Sequence, residues 1–291
     1  METKNACPVC RAKKFIPRFI KNGYPIERCS SCGFERAVMH ESYTKLTDRY
    51  YTKGYFTGEK ERYAYSNYAG DFSVFKKNFD SVVRLLLHFT RGRTLLDVGC
   101  AYGFFMQVAK KHGFDVFGID VSAHAIREAK EIFGGNVNHG RFDEVIFPPA
   151  SFDAITMLDV FEHFDDPASS VRRARKLLNR DGILVIETND TQSLWAKMFG
   201  RDWHFYIPPQ HLSFFSAANM TMLLEKEGFR VEAIRYSGKW IPLRYALHLA
   251  RSIRGSKLAE SLYHRVRDMW LGRLPLYINF FDHMIVIARK I

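Results

Sequence analysis

Apolar residues recur along the chain with two different periods, and the alternation between these periods outlines an α/β protein. Continuous apolar runs predict buried strands, and apolar residues three or four positions apart predict helices that cover a sheet. The predicted strands lie at 95–98, 116–119, 138–143, 152–158, 183–187, 231–236 and 283–288. The predicted helices lie at 72–89, 104–109, 123–132, 168–178 and 217–226. Strands that alternate with helices in this way favour a largely parallel sheet with helices on its faces.

The stretch from Thr94 to Ser122 contains a candidate binding motif. A strand leads into a small-residue turn at 97–103, a helix follows, and the next strand ends at Asp120. Glycines in such a turn let the backbone pass close to a ligand beside the helix N-terminus, and a carboxylate after the second strand accepts hydrogen bonds from both hydroxyls of a ribose. The stretch therefore predicts a nucleotide-binding unit, with a purely structural unit of another α/β protein as the alternative.

The turn resembles the first motif of class I S-adenosylmethionine-dependent methyltransferases. It reads Asp97-Val98-Gly99-Cys100-Ala101-Tyr102-Gly103, with Ala101 where that family usually has a middle glycine. The resemblance implies S-adenosylmethionine (SAM) as cofactor and a Rossmann-like, seven-stranded mixed sheet whose last strand is antiparallel. In that family Asp97 would hold the amino-acid end of SAM, Asp120 its ribose and Phe142 its adenine. The cofactor-binding residues that the resemblance implies are Asp97, Gly99, Ala101, Gly103, Asp120, Val121, Arg141, Phe142 and Leu158.

A second motif follows the predicted strand at 152–158. The segment from Asp159 through Glu162 and His163 to Pro167 is similar to the "LEH…DP" segment of the ubiquinone-biosynthesis type of methyltransferase, in the methyltransferase type 23 group. Ligands of open α/β sheets bind at the carboxyl ends of the strands. We therefore expect Asp159 and His163 to take part in catalysis, near the methionine end of SAM or the acceptor. The alternative is that Glu162 and His163 form a structural pair.

A third motif ends an irregular, aromatic-rich stretch at 195–216. Residues 209–216 resemble the "P-x-H-L-x-x-F-S" end of an insertion that contributes to the acceptor pocket in the same group. Histidine titrates near neutral pH, and a hydroxyl acceptor loses its proton as the methyl group is transferred. His211 is therefore the predicted general base. Its alternative role is to cap the helix that begins near Ser216.

Four cysteines near the N-terminus form two C-x-x-C pairs. Cys7 and Cys10 are separated from Cys29 and Cys32 by the residues 11–28. At this spacing four thiolates bind zinc tetrahedrally, and a short segment with few large apolar residues needs such a metal to fold. We therefore predict a structural Zn²⁺ site in a ribbon at residues 1–40, with disulfide bonds as the alternative.

The formal charge of +12 on 291 residues is concentrated in two segments. Residues 1–40 carry eight Lys or Arg against three acids, and residues 239–273 carry eight against two. The second segment has the pattern of basic amphipathic helices, with Arg244, His248, Arg251 and Arg254 on the polar face. Such helices fit an anionic membrane surface or a phosphate-bearing substrate, and equally a dimer interface or a lid.

Neither a membrane span nor a signal peptide is predicted. No apolar stretch approaches the roughly 18–20 residues that cross a bilayer, and the N-terminus lacks a signal-peptide core. We therefore expect a cytoplasmic protein, with the periphery of a membrane as an alternative location.

The predicted organisation has four parts. They are a zinc ribbon at 1–40, an aromatic cap and helical linker at 41–90, a methyltransferase domain at 91–238 and 274–291, and the basic helical insertion at 239–273. We expect methyl transfer to a small-molecule acceptor, with a hydroxyl of a sugar or of a lipid-linked intermediate favoured. Two alternatives remain open: an RNA or protein methyltransferase whose ribbon and insertion bind the polymer, and a non-catalytic scaffold with the same fold.

Overall fold

The structure, a computed structural model, describes residues 6–57, 67–254 and 256–291, with the exception of the side chains of 251–254. Tyr63 and Tyr65 of the predicted cap lie outside the described residues, as do the side chains of Arg251 and Arg254.

The chain begins with a small antiparallel sheet, continues through three helices and then forms a large sheet. The first parts are β1 (Phe15–Lys21), β2 (Tyr24–Cys29), β3 (Glu35–Ala37), α1 (Tyr43–Tyr50), α2 (Lys53–Thr57) and α3 (Phe72–Phe89). There follow β4 (Thr94–Val98), α4 (Phe104–Lys111), β5 (Asp115–Asp120), α5 (Ala123–Phe133), β6 (Val137–His139), β7 (Phe152–Leu158), α6 (Pro167–Leu177) and β8 (Leu178–Asn189). The chain ends with α7 (Leu194–Phe199), β9 (Ser213–Phe214), α8 (Ala217–Lys226), β10 (Phe229–Tyr236), β11 (Lys239–Pro242), α9 (Leu243–Arg254), α10 (Lys257–Val266), β12 (Pro275–Ile278) and β13 (His283–Lys290).

The large sheet confirms the predicted fold class. Its strand order is β10-β13-β8-β7-β4-β5-β6, and β13 runs antiparallel to both of its neighbours. The other neighbouring pairs are parallel. Leu95 and Leu96 are both fully buried and belong to different apolar clusters, as expected for adjacent residues of a strand that is covered on both faces. The order of the strands reverses at β4 and β7, which is where open α/β sheets bind their ligands.

Two strands of the large sheet differ in length from the prediction by more than two residues. The strand predicted at 138–143 ends at His139, because Gly140 has a φ of +144° and the chain then turns, with the amide of Glu144 donating to the carbonyl of Arg141. Arg141 and Phe142 therefore lie in a loop at the carboxyl end of β6. The strand predicted at 183–187 is longer than expected and begins at Leu178.

The N-terminal sheet is continuous with the irregular stretch that contains His211. Its strand order is β1-β2-β3-β9, so the fourth strand comes from that stretch. The amide of Ala37 also donates to the carbonyl of Leu212 at 2.9 Å. A buried apolar cluster joins the two parts; it contains Ile26, Ala37, Ala196, Trp203, Tyr206 and Phe214. The ribbon is thus packed against the catalytic domain.

The basic insertion differs from the prediction in two ways. It begins and ends in strands, because β11 pairs with β12 as far as Ile278. Arg244 and His248, predicted on the polar face, are buried with 5% and 1% of their surface exposed. Arg244 donates to Asp71 at 2.5 and 3.0 Å, and a buried guanidinium needs such a partner. Conversely, the apolar side chains of Leu258 and Trp270 in the insertion are exposed.

None of the described helices is long and apolar enough to cross a membrane.

The helix after His211 is capped by Ser216, so the alternative role of His211 as its cap is wrong. The Ser216 hydroxyl accepts from the amide of Asn219, and the Asn219 side chain accepts from the amide of Ser216.

Replacing Ser216 with alanine should lower the free energy of unfolding by about 1 kcal/mol, measured by urea denaturation. The matched control is Ser81→Ala on the exposed side of α3, which should change it by less than about 0.5 kcal/mol. Equal effects of the two changes would contradict the cap.

Candidate active site

One cavity of about 670 Å³ lies at the carboxyl ends of the parallel strands. The turn after β4, the end of β5 and the segment after β7 form its floor. The cap, the irregular stretch at 195–211 and the insertion form its walls. Among the tyrosines of the cap, Tyr43, Tyr51, Tyr55 and Tyr68 line it.

The turn after β4 adopts a conformation that favours glycine. Gly99 and Gly103 have φ values of +79° and +75°, and Ala101 between them has a φ of +48°. A Cβ atom on Gly99 would lie 2.8 Å from Val160, and one on Gly103 would lie 2.5 Å from the ring of Phe133. Gly99 and Ala101 line the cavity, whereas Gly103 is not among the described residues that do so. The role of Gly103 is therefore to begin α4 in this tight space.

Asp120 presents a half-buried carboxylate to the cavity. Its two oxygens accept hydrogen bonds from the amides of Ala101 at 2.9 Å and Ser122 at 2.8 Å. Burial raises the pKa of Asp120, whereas the two amides favour its ionised form. Each carboxylate oxygen keeps a further lone pair, so the side chain has the acceptors that the two hydroxyls of a ribose require.

Asp97 is the second acid at the floor of the cavity. Its carboxylate accepts a hydrogen bond of 2.7 Å from the Thr156 hydroxyl. Burial raises the pKa of Asp97 to about 7, and the nearby charge of Asp120 adds to the shift. A bound ammonium group would lower this pKa and stabilise the ionised form, which agrees with the predicted role at the amino-acid end of SAM.

The other predicted cofactor-binding residues separate into two groups. Val121, Phe142 and Leu158 line the cavity, and Phe142 stacks on Phe164 with ring centroids 6.3 Å apart. Arg141 is not among the described residues that line it. Its guanidinium donates to Asp143 and lies 4.5 Å from the ring of Tyr43, so it fixes the cap to the loop after β6.

His163 and His211 lie in contact with each other in the wall of the cavity, with ring centroids 4.9 Å apart. The Nδ1 atom of His211 donates to the Phe205 carbonyl at 2.9 Å, and that of His163 donates to the Gln210 carbonyl at 2.7 Å. Because a carbonyl only accepts, Nε2 carries the lone pair in the neutral form of His211. Nε2 of His211 lies 3.9 Å from a carboxylate oxygen of Glu162.

Burial shifts the pKa values of His211 and of Glu162. Burial, and then the nearby ring of His163, lower the pKa of His211 well below its usual value. Burial also raises the pKa of Glu162, whose other oxygen accepts a hydrogen bond from Thr188 at 2.8 Å. His211 is therefore neutral near pH 7 and able to accept a proton at Nε2.

Asp159 lies in a partly buried cluster of charges that the sequence did not predict. It contacts the Lys239 ammonium and accepts from Nε2 of His283 at 2.6 Å. Glu187 lies 3.5 Å from Lys239 and 3.2 Å from Nδ1 of His283. Lys239 and His283 hold the pKa of Asp159 well below its usual value, in spite of burial. Burial and Lys239 act to lower the pKa of His283, but Asp159 and Glu187 outweigh them and raise it to about 9.

This cluster gives Asp159 a different environment from that of His163 and His211. Two cations balance two carboxylates, and both oxygens of Asp159 are engaged. The only sequence signal for the cluster was the position of His283 and Glu187 in neighbouring strands, since Lys239 comes from the insertion.

The four cysteines form a compact cluster. Sγ of Cys7 lies 3.5 Å from that of Cys32, Sγ of Cys10 lies 3.5 Å from that of Cys29, and all four atoms are within 4.8 Å of one another. These separations are close to the 3.8 Å or so between thiolates around a tetrahedral zinc, and far from the roughly 2.05 Å of a disulfide bond. The second cysteine of each pair is followed by a residue at positive φ, Arg11 and Gly33. The donor set therefore fits a structural metal ion.

Three features together define the class I SAM-dependent methyltransferases. They are a seven-stranded sheet of this order, a glycine turn after β4, and an acid at the end of β5 in the position that binds a ribose. The chain belongs to this class by descent as well as by fold, because the family described as "Methyltransferase domain" (type 23) matches residues 72–234.

Relatives and solved structures agree with this assignment. A probable SAM-dependent methyltransferase of Mycolicibacterium smegmatis is 27% identical over 157 residues, which cover 54% of this chain and 59% of the relative. A ubiquinone biosynthesis O-methyltransferase of Coxiella burnetii is 28% identical over 183 residues, 58% of this chain and 76% of the relative. Magnesium protoporphyrin IX methyltransferase of Synechocystis, solved with bound S-adenosylhomocysteine (SAH), has the same fold, with a TM-score of 0.53 at 17% identity over 86% of this chain and all of that one.

Replacing Ala101 with glycine tests the departure from the usual family motif. Alanine at a φ of +48° is strained relative to glycine, so Ala101→Gly should raise the free energy of unfolding by about 1 kcal/mol. SAM affinity, measured by calorimetry, should change by no more than about fourfold, since one methyl group is worth roughly 0.8 kcal/mol. Ala150→Gly is the matched control, because Ala150 also has a positive φ and does not line the cavity. A large gain in SAM affinity for Ala101→Gly would mark the turn as a weakened site and support the scaffold alternative.

Proposed function

We propose that this protein transfers the methyl group of SAM to a hydroxyl of a small-molecule acceptor, either a sugar or a lipid-linked intermediate. The observation that carries the proposal is the continuity of the cavity. It runs from Asp120 past His163 and His211 to the apolar side chains of Tyr245 and Leu249 in the insertion. A cofactor at Asp120 would leave the histidines and the apolar wall for the acceptor.

The residues of the cavity support a simple displacement mechanism. When bound, SAM supplies an electrophilic methyl group on a cationic sulfur. His211 is neutral and takes the proton of the acceptor hydroxyl at Nε2, while the Phe205 carbonyl holds Nδ1–H and so fixes the orientation of the ring. Glu162, at 3.9 Å, stabilises the imidazolium that results. The tyrosines of the cap exclude water and present aromatic rings to a cation.

The walls of the cavity favour a small acceptor over a polymer. The ribbon is packed on the catalytic domain through β3 and β9, and Arg244 of the insertion is paired with Asp71 in the interior. The pairing of Arg244 reduces the free basic surface that the polymer alternative requires.

The test uses SAM labelled in its methyl group and four groups of acceptors: sugars and sugar nucleotides, a lipid extract, total RNA and total protein. We expect label in the sugar or lipid fraction and none above background in RNA or protein. Label in RNA or protein would overturn the proposed acceptor class. Calorimetry with SAM alone tests the scaffold alternative, since absence of heat in metal-replete protein would contradict an enzyme.

We also propose that the four cysteines bind one structural zinc ion. Metal analysis of the purified protein should find about one zinc per chain, and Cys29→Ser should lose it and unfold the ribbon. The matched control is Cys100→Ser, because Cys100 lies in the glycine turn and outside the cluster. Four thiols that form two disulfides, with no bound metal, would contradict the zinc site.

A further inference from the structure

We propose that Glu35 of the ribbon is a positioning residue for His211. In this arrangement the ribbon holds the segment 205–214, here called the acceptor loop, in the conformation that directs His211 toward the cavity. The proposal rests on the proposed role of His211, but the physical link is measurable without any acceptor.

The first link is strand pairing. β9 is two residues long and lies at the edge of its sheet, where β3 is its only partner among the described strands. Glu35 pairs with Phe214 and Arg36 with Ser213. A strand this short has little stability of its own, so its extended conformation depends on β3.

The second link is a buried hydrogen-bonded group of side chains. Glu35 is 1% exposed; one carboxylate oxygen accepts from Arg18 and the other from the Tyr206 hydroxyl, both at 2.6 Å. Burial and the charge of Glu35 raise the pKa of Tyr206, which keeps its phenol protonated as a donor. Charge-assisted hydrogen bonds of this length in the interior fix the position of both partners.

The third link joins Tyr206 to the imidazole. Tyr206 follows Phe205, whose carbonyl accepts the hydrogen bond from Nδ1 of His211. That hydrogen bond determines which nitrogen of His211 carries the lone pair. The position of the Phe205 carbonyl therefore depends on the ring of Tyr206, and through it on Glu35.

The acceptor loop is held on its other side by the catalytic domain. The amide of Leu212 donates to the carbonyl of Glu162 at 2.9 Å, and the carbonyl of Gln210 accepts from His163. The loop thus lies between the ribbon and the segment after β7. The hydrogen bonds of Asp120 come from Ala101 and Ser122 instead, so loosening the ribbon should affect His211 and spare the SAM site.

The test uses two variants of the whole chain, Tyr206→Phe and Glu35→Gln. The matched control is Glu27→Gln on β2, because the Glu27 carboxylate is half-buried and paired with Arg36. Hydrogen exchange measured by mass spectrometry should become about tenfold faster in 205–214 for the two test variants. The ¹⁵N shifts of the His211 ring, assigned with His211→Gln, should move toward a mixture of tautomers. SAM affinity should stay within about threefold, and Glu27→Gln should match the wild type.

Two outcomes would overturn the proposal. The first is unchanged exchange in 205–214 together with unchanged ring shifts in both test variants. The second is an equal increase of exchange in 97–103, which would show general destabilisation in place of positioning. Tyr206→Phe differs by one oxygen atom and keeps the aromatic core, so it covers the case in which Glu35→Gln fails to fold. Failure of the proposed reaction would leave these measurements unaffected, so the two failures are distinguishable.

Discussion

Replacing Asp120 with alanine should weaken SAM binding by about 100-fold or more. The carboxylate has acceptors for both ribose hydroxyls, and hydrogen bonds to a charged group contribute about 1.5–3 kcal/mol each, so their loss corresponds to at least a hundredfold in affinity. The change also removes the partner of the Ala101 and Ser122 amides, which loosens the turn after β4. Titration calorimetry with SAM and with SAH measures the effect, and both ligands should lose affinity equally because they share the ribose.

The control for this experiment lies on the same strand. Asp115 begins β5 at the opposite, amino-terminal end and is exposed, so Asp115→Ala should leave the affinity within about threefold of the wild type. An affinity for Asp120→Ala within the same range would contradict the assignment of the ribose site. Unfolding curves of both variants separate loss of binding from loss of structure.

Replacing His211 with glutamine should lower kcat by about 10² to 10⁴ with the acceptor found in the labelling experiment. Glutamine keeps a hydrogen-bonding side chain of similar size but cannot accept a full proton. SAM affinity should not change, because the hydrogen bonds of Asp120 do not involve the acceptor loop. His264→Gln on α10 is the matched control, since His264 is exposed and does not line the cavity.

The pH dependence of the wild-type enzyme gives an independent test of His211. A base must be unprotonated, so activity is lost as the pH falls through its pKa. Burial and the ring of His163 lower the pKa of His211 well below 6.5. The acidic limb of kcat/KM should therefore lie below pH 6.5, with a plateau through neutral pH. A limb above pH 6.5 that persists in His211→Gln would assign the proton transfer to another group.

The features that the sequence predicted well depend on residues close together in the chain. The helix predicted at 72–89 is observed over the same residues, and the strand predicted at 152–158 is likewise observed without change. The helix has a periodic apolar pattern with one buried face, and the strand is an apolar run that is covered on both faces. The turn at 97–103 was found because its glycines and Asp120 belong to one local unit.

The features that the sequence missed depend on contacts between distant parts of the chain. Arg244 was placed on a polar face because its partner, Asp71, is 173 residues away and no local pattern links them. The buried residues described in α9, Arg244 and His248, come from its predicted polar side, so periodicity alone did not show which side faces the protein. Lys239 and His283 were missed for the same reason, since their partner Asp159 follows a different strand and is distant from both in the sequence.

The candidate catalytic residues fall between these cases. The motifs identified His163 and His211, but only the structure shows that carbonyls of the acceptor loop fix both rings. The shortened β6 is a further example, because the positive φ of Gly140 ends a strand that was predicted to reach Asp143.

The pairing of β3 with β9 has a consequence for how this chain can be divided. A truncation after residue 40 would follow the boundary suggested by composition, but it would leave Phe214 and Tyr206 uncovered and the edge of β9 unpaired. Unpaired edges and newly exposed aromatic surface promote aggregation. The shortest fragment that keeps the acceptor loop in its native conformation therefore starts ahead of Cys7. A gene fusion or deletion that separates the ribbon from the acceptor loop would have to supply another strand in place of β3.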